Sequence, residues 1–208
     1  MIGELAAAYQ KERERLIAFA KESPLRGEHA SPVFGEGPDE PLLMLVGEAP
    51  GREETAAGKP FVGKAGKQLN GLLERARIDR AGVYLTNAVK FRPVRMGGTT
   101  VANRAPAREE IESSLWLLEK EISLLRPRVV ATLGNIPLGA ILALTGEKSV
   151  SIGSAHAAAR TVSVGGVPIT LFPMYHPASG IYNRDLIPVL EADADALGAL
   201  LSAQKEAK

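Results

Sequence analysis

The sequence contains no cysteine, and this absence excludes several kinds of chemistry at once. Without thiols there can be no disulfide, no thiolate nucleophile, no cysteine-bound zinc and no iron–sulfur cluster held by cysteines. Histidine is almost as scarce, since His29, His156 and His176 are the only three. They are far apart and form no His-x-x-x-His pair of the kind that starts a metal site. We therefore predict neither a metal nor a cofactor.

Long hydrophobic runs and an excess of one charge are also missing. No apolar stretch approaches the roughly 18 residues of a membrane-spanning helix. The N-terminus carries Glu4 and a polar run at 10–15, unlike a secretory signal. The 25 basic and 24 acidic residues leave a net charge of +1, which excludes a chain-wide attraction to nucleic acid but not a local basic face. We predict a soluble, cytoplasmic protein without membrane contact, with a monomer as the simplest state.

The length predicts a single domain. At about 100–200 residues per domain, 208 residues suffice for one full hydrophobic core. The N-terminal segment, residues 1–22, has apolar residues at helical spacing, among them Leu5, Tyr9 and Leu16. We expect one domain over residues 1–208, with this helix packed against it.

Short apolar runs alternate with helical patterns from residue 42 onward. The runs predict buried strands at Leu42–Val46, Val83–Leu85, Val129–Leu133 and Val167–Phe172. The helical patterns cover Ala65–Arg77, Ala107–Leu125, Ile136–Leu144 and Pro188–Ala203. Strands separated by helices favour an α/β fold: a three-layer α/β/α sandwich around a central, mostly parallel, four-stranded sheet.

Chemically useful side chains follow three of the predicted strands. Glu48 lies in the motif Gly-Glu-Ala-Pro-Gly after the first strand, Asn87 follows the second, and His176 follows the last. In open α/β sheets, ligands bind beyond the carboxyl ends of the strands. We therefore expect a carboxylate, an amide and an imidazole to meet at one edge.

One motif suggests a different function. The stretch Gly58–Ala65, GKPFVGKA, nearly matches a phosphate-binding loop. However, Ala65 stands where a serine or threonine must reach magnesium, and no strand leads directly into Gly58. A nucleotide-phosphate hydrolase is therefore the less favoured alternative.

Five motifs, in order, are similar to those of the uracil-DNA glycosylase superfamily, and most similar to its family 4. They are GEAPGREETAAGKPFVGKAGKQLNGLL, YLTNAVKFRP, NRAPAREEI, RPRVVATLG and MYHPAS, within a similarity that runs from about residue 23 to 192. Family 4 usually carries a 4Fe–4S cluster. Its four cysteine positions fall here on Ala20, Ser23, Phe91 and Ser114. The resemblance thus implies the family's fold without its cluster, with packing around Phe91 in place of the metal.

The resemblance also implies how a base is bound. Phe61 resembles the aromatic residue that stacks on the flipped-out base. Asn87 matches the asparagine that reads uracil, because a carboxamide can donate to O4 and accept from N3–H. The other residues expected to contact the substrate are Gly47, Ala49, Pro50, Gly51 and Ser179.

Catalytic roles are implied for two further residues. His176 resembles the histidine that stabilises negative charge on uracil O2 as the glycosidic bond breaks. Glu48 resembles the family-4 carboxylate proposed to position the attacking water or to stabilise the sugar cation, while Ala49 occupies the position of the family-1 aspartate. Gly51 leaves open the space beside pyrimidine C5, so exclusion of thymine is not predicted.

DNA must also be held beside the pocket. The basic residues expected to contact phosphates are Lys64, Lys90, Arg92 and Arg184. The segment 180–183 is expected to enter the groove beside the flipped base, with Tyr182 as the wedge.

These residues predict an enzyme that hydrolytically excises uracil, and related deaminated bases, from single- or double-stranded DNA. A related subgroup traps the abasic product through a loop histidine, but Asn103 stands near that position here, so we expect turnover. The main alternative is a nucleic-acid-binding member of the same fold without activity. Structural explanations also remain open, with Phe61 as a core residue, Asn87 as a turn residue and Glu48 as a cap.

Overall fold

The structure is a computed structural model that describes residues 3–20, 31–97 and 100–206. Its helices are α1 (Gly3–Ala20), α2 (Arg52–Ala57), α3 (Lys64–Arg75), α4 (Arg108–Leu125), α5 (Asn135–Thr145), α6 (Ile152–Ala155), α7 (Ser179–Tyr182) and α8 (Ile187–Glu206). Its strands are β1 (Leu43–Gly47), β2 (Val83–Asn87), β3 (Val94–Gly97), β4 (Thr100–Asn103), β5 (Val129–Leu133), β6 (Arg160–Val164) and β7 (Val167–Met174). Short 3₁₀ turns occur at Arg80–Gly82 and Arg184–Leu186.

The central sheet has five strands in the order β2-β1-β5-β7-β6. Strands β2, β1, β5 and β7 are parallel, and β6 joins β7 as an antiparallel edge. The predicted α/β class with a mostly parallel sheet is therefore confirmed. The predicted number of four strands is wrong, because β6 was missed. Its sequence, RTVSV, alternates exposed polar and buried apolar residues, as suits an edge strand, and lacks the continuous apolar run of the other strands.

A second, two-stranded sheet was also not predicted. Strands β3 and β4 form an antiparallel hairpin in which Val94 pairs with Asn103 and Gly97 pairs with Thr100. The β4 residues are largely exposed, and both strands are only four residues long, without the continuous apolar run that predicted the strands of the central sheet.

Helices cover both faces of the central sheet. In β1, Met44 and Val46 point into a core that includes residues of α1, α4 and α5. Leu43 and Leu45 point into the opposite core, which includes residues of α3 and α8. This alternation follows from the two-residue period of a strand and produces the three layers. Within the described residues, no helix is long and apolar enough to cross a membrane.

The N-terminal helix is attached by apolar packing. Leu5 and Tyr9 of α1 belong to the core beside α4, and Leu16 packs with Val89 and Phe91 in a small separate cluster. Phe91 is only 2% exposed. Its ring thus contributes to the contact between α1 and the loop after β2, as expected from the sequence.

Replacing Phe91 with alanine should destabilise the protein by about 3–5 kcal/mol, because it removes a buried ring and leaves a cavity between α1 and the loop. Urea unfolding followed by circular dichroism would measure the loss. The matched control is Phe91→Leu, which keeps most of the apolar volume and should cost less. An unchanged free energy of unfolding for Phe91→Ala would contradict the packing role.

Candidate functional site

The site lies where β1 and β2 end together. The parallel register places Gly47, the last residue of β1, opposite Asn87, the last residue of β2. The following loops stay in contact, since the Ala88 N–H donates to the Gly47 carbonyl at 2.8 Å and the Val89 N–H donates to the Glu48 carbonyl at 3.0 Å. The loops after the two strands are therefore held side by side at the carboxyl edge of the sheet.

An aromatic ring and a carboxamide meet at Gly47. A methyl group built on Gly47 would lie 2.6 Å from Phe61 Cζ and closer still to Asn87 Oδ1. Asn87 is only 4% exposed. Only glycine leaves room for both side chains here, so the structure brings together these three sequence-predicted residues.

The Phe61 main chain is held in an unusual conformation. Its φ angle is +54°, in the left-handed region that non-glycine residues rarely adopt. The Arg80 guanidinium donates to the Phe61 carbonyl at 3.1 Å. A side chain on Gly66 of α3 would collide with the same carbonyl. Phe61 is also 6% exposed and belongs to the core beside α3 and α8, so its ring contributes to the core as well as reaching Gly47.

Glu48 is a half-buried carboxylate in the loop after β1. Burial raises the pKa of its carboxyl above the ordinary value, because desolvation disfavours the charged form. Beyond it, Ala49 packs against the Leu16–Val89–Phe91 cluster, and Pro50 is buried. The loop is thus fixed on both sides of a carboxylate whose charge is costly to bury.

Glu54 fixes the next part of the loop and was not predicted. Its carboxylate accepts from the Gly51 N–H at 3.1 Å and from the Gly63 N–H at 2.7 Å. Its position three residues after Gly51 is the spacing of a capping box, the signal that could have revealed it. Gly58 ends α2 in a left-handed conformation. The near-match to a phosphate-binding loop therefore follows a helix and not a strand, and the amide of Gly63 is already occupied by a carboxylate.

His176 follows β7, and its tautomer is set by the main chain. The Ala178 N–H donates to His176 Nδ1 at 3.2 Å. A neutral ring must then carry its proton on Nε2. Burial lowers the pKa of the imidazole, which favours this neutral form. Gly134, after β5, lies close to His176, since a methyl group built on this glycine would be 3.4 Å from the His176 Cβ.

A buried carboxylate supports the His176 loop and was missed in the sequence. Asp193 of α8 is 1% exposed, accepts from the Tyr175 N–H at 3.4 Å and contacts His156 Nδ1 at 2.8 Å. It links α8 to the residue before His176. No sequence signal distinguished Asp193 from the other acidic residues of its helix, and its contact with His156 gives that histidine a structural partner.

The predicted DNA-contacting residues separate into two groups. Lys64, at the start of α3, and Arg184 are exposed, as is Tyr182, which is 87% exposed. Ser179 begins α7 and is half-buried. The prediction for Lys90 is wrong: it is 0% exposed and ion-paired with Glu121 at 2.7 Å, so it cannot reach a phosphate.

Arg92 also differs from the expected surface cation. It is only 6% exposed, and its Nε donates to Asn103 Oδ1 at 2.7 Å. The hairpin thereby brings Asn103 Nδ2 to within 3.7 Å of a methyl group built on Gly51. Arg92 therefore joins the β3–β4 hairpin to the edge of the site, while its packing removes it from an open phosphate-binding surface.

The four positions that correspond to cluster cysteines do not fit a cluster. Phe91 fills its position with a buried ring, and the Ser114 hydroxyl donates to the Glu110 carbonyl at 2.9 Å. Ala20 lies at the end of α1, and Ser23 lies outside the described residues. None of these side chains is a thiolate. In the described part of the chain, no three histidine, aspartate or glutamate residues are grouped to hold a metal ion.

Comparison with known proteins agrees with this arrangement. The family model of the uracil DNA glycosylase superfamily matches residues 34–195, and the chain belongs to that superfamily. Within it, a type-4 uracil-DNA glycosylase of Pyrobaculum aerophilum is 38% identical over 82% of this chain and 88% of its own length. Type-4 uracil-DNA glycosylases of Saccharolobus solfataricus and Thermotoga maritima are 37% and 34% identical, over 83% of this chain in each case and over 77% and 86% of their own lengths. The predicted family is confirmed.

Replacing Glu48 with glutamine should raise stability at neutral pH, because it removes a charge that is costly to bury. The pKa of Glu48 is higher in the folded state than in the unfolded state, because burial favours the protonated carboxyl. The stability of the folded protein that depends on this protonated form is fully present below the unfolded pKa and is lost as pH rises through the folded pKa. The melting temperature of Glu48→Gln relative to wild type should therefore increase from pH 4 to pH 8. Thermal unfolding across that range is the measurement. Glu53→Gln, on exposed α2, serves as control, and a difference that is constant with pH would contradict the assignment.

Proposed function

We propose that this protein is a uracil-DNA glycosylase that flips uracil out of DNA, hydrolyses its N-glycosidic bond and leaves an abasic site. The observation that carries the proposal is the meeting of the Asn87 carboxamide and the Phe61 ring at Gly47. A glycosylase must hold a planar base by stacking and read its edge by hydrogen bonds. The predicted cytoplasmic location and monomeric state are part of the same proposal.

Base selection is assigned to Asn87. Uracil presents an acceptor at O4 and a donor at N3, and a single carboxamide satisfies both. Cytosine presents a donor and an acceptor in the same places, so a carboxamide in a fixed orientation would be left with two mismatched groups. Unpaired buried polar groups are costly, and this cost provides the discrimination. Phe61 supplies the stacking surface, and Gly47 leaves room for the ring and the amide.

His176 is assigned to the leaving group. Negative charge develops on the uracil ring as the bond to C1′ breaks, and a fixed donor at O2 stabilises it. The Ala178 N–H on Nδ1 leaves the proton of the neutral ring on Nε2, where it can serve as that donor. A lowered pKa keeps the ring in this form at physiological pH. Ser179, in the same loop, is assigned to the substrate.

Glu48 is assigned to the attacking water. As uracil departs, the sugar becomes cationic, and a carboxylate can stabilise that charge and orient the water that adds to C1′. The bond from C1′ to uracil N1 breaks, and the water oxygen forms the new bond to C1′. One water proton passes to the Glu48 carboxylate, the other stays on the abasic hydroxyl, and the released uracil anion takes a proton from solvent. The Glu48 loop, with Ala49, Pro50 and Gly51, lies beside Asn87 because the two strands end together.

The substrate range extends to related deaminated bases. Gly51 carries no side chain that could crowd the C5 side of a pyrimidine, and the nearest groups to a methyl built there are Glu54 and Asn103. The same proposal includes single- and double-stranded DNA. Asn103 in the hairpin lacks the nucleophilic ring of the trapping subgroup, so the abasic product should be released.

The direct test is incubation of the purified protein with a uracil-containing oligonucleotide in chelator, followed by alkali to cleave abasic sites. Wild type should yield strand cleavage at the uracil position. Asn87→Ala and His176→Ala should each lower the single-turnover rate by about a hundredfold or more, in the range for loss of one charge-stabilising donor. Thermal unfolding of each variant controls for folding.

Other outcomes identify the alternatives. Retention of uracil DNA without base release, even at excess protein, would indicate a binding protein. Release of phosphate from nucleotides only with magnesium would indicate a phosphate hydrolase. Protein cross-linked to the abasic strand would contradict turnover.

DNA contact is assigned to Lys64 and Arg184, with Tyr182 as the wedge beside the flipped base. Lys64→Ala and Arg184→Ala should each weaken DNA binding and lower the slope of log K against log salt by about 0.9 for duplex DNA. Fluorescence anisotropy across a salt series measures this slope. Lys120→Ala, exposed on α4, is the control and should leave it unchanged.

A further inference from the structure

A second group of buried charged side chains lies directly beneath Asn87. Lys90 and Glu121 are both 0% exposed, and their side chains form an ion pair at 2.7 Å. A buried charge pair costs desolvation energy on both partners, and an apolar pair of similar volume is often at least as stable. The pair therefore needs an explanation other than stability.

The Lys90 ammonium has three protons, and each has an acceptor. Nζ donates to Glu121 Oε2 at 2.7 Å, to Thr86 Oγ1 at 2.7 Å and to the main-chain carbonyl of Asn87 at 2.6 Å. The ammonium group thereby binds the last two residues of β2. One of them carries the carboxamide that we assign to base reading.

Glu121 is held from the other side. Its Oε1 accepts from the Tyr9 hydroxyl at 2.6 Å and from the Thr86 hydroxyl at 3.0 Å. The Tyr84 hydroxyl in turn contacts Tyr9 at 2.5 Å. Burial, together with the Glu121 charge, raises the pKa of Tyr9, so its hydroxyl stays protonated as the donor. The Glu121 carboxylate, which belongs to α4, thus binds Tyr9 of α1, Thr86 of β2 and Lys90 after β2.

The position of Asn87 in the sheet makes this support useful. Strand β2 is the edge strand next to β1, and on its outer side Glu36 forms an isolated antiparallel bridge with Leu85. Two residues further on, at the end of the strand, Lys90 binds the Asn87 carbonyl. The Lys90 ammonium provides a charge-assisted hydrogen bond to the carbonyl there, a kind that is stronger than one between neutral groups. The Asn87 side chain begins one bond from the main chain that Lys90 holds.

We propose that Lys90, oriented by Glu121, is a positioning residue that fixes the Asn87 main chain so that its carboxamide meets the base in one orientation. This inference rests on the proposed function for its readout in catalysis. Lys90 touches no substrate and acts through Asn87 alone. Small displacements of a group that orients a substrate can lower rates by about a hundredfold.

The test separates positioning from stability with two variants. Lys90→Met leaves the Glu121 carboxylate buried and unpaired, so it should lose both stability and activity. The double variant Lys90→Met with Glu121→Gln removes both charges, while the glutamine oxygen can still accept from Tyr9 and Thr86. It should recover most of the free energy of unfolding but remain about ten- to a hundredfold slower in single-turnover excision at saturating DNA.

A stability control uses Leu142, an apolar residue that is buried in α5 and takes no part in the hydrogen bonds around Lys90 and Glu121. Leu142→Ala should be destabilised by packing loss yet excise uracil at the wild-type rate, at a temperature where all variants are folded. Recovery of both stability and rate in the double variant would overturn the proposal. So would an equal loss of rate in Leu142→Ala.

A second readout does not depend on catalysis. The side-chain amide resonances of Asn87 in ¹⁵N-labelled full-length protein should broaden or shift in the double variant and stay unchanged in Leu142→Ala. If wild type excises no uracil, the proposed function fails, and these resonances still decide whether Lys90 holds Asn87. Unchanged resonances in the double variant would overturn the positioning role.

Discussion

The parallel pairing of β1 with β2 is the constraint on which the site depends. Because the two strands start and end in register, Gly47 and Asn87 lie opposite each other at the carboxyl edge. A side chain on Gly47 would occupy the space shared by the Phe61 ring and the Asn87 amide. The Phe61 ring and the Asn87 amide can therefore meet because a glycine ends one strand beside an asparagine that ends the next.

Burial of polar groups is the second theme of the structure. Glu48 and His176 are buried enough for desolvation to shift the pKa of each toward its neutral form. The neutral imidazole can accept a hydrogen bond at Nδ1 and donate one at Nε2, as the His176 loop requires. For Glu48, keeping the carboxylate charged in a buried place lowers the stability of the folded protein. Such costs are typical of functional sites, where stability is given up for chemistry. Burial also lowers the pKa of Lys90, but Lys90 is paired with Glu121 and its ammonium has an acceptor for each of its three protons.

The strongest patterns in the sequence were correctly interpreted. The four continuous apolar runs became β1, β2, β5 and β7, because strands buried on both faces must be apolar throughout. The edge strand β6 and the β3–β4 hairpin were missed, since exposed strands carry mixed residues that resemble loops. Phe61 illustrates an intermediate case: the motif indicated a stacking residue, but only the structure revealed that the same ring also belongs to the core.

The sequence by itself determined the α/β class, the family and the motifs at the strand ends, because hydrophobic periodicity and motif order are local properties of the chain. Tertiary structure decided which charged side chains are exposed to solvent and which are buried. Lys90 and Lys64 are both lysines beside motifs, yet one is buried against Glu121 and the other is exposed at a helix start. Glu121 is 31 residues away from Lys90 in the chain, and Asp193 is 18 away from Tyr175. Contacts at such separations depend on how helices pack on the sheet, which no local pattern encodes.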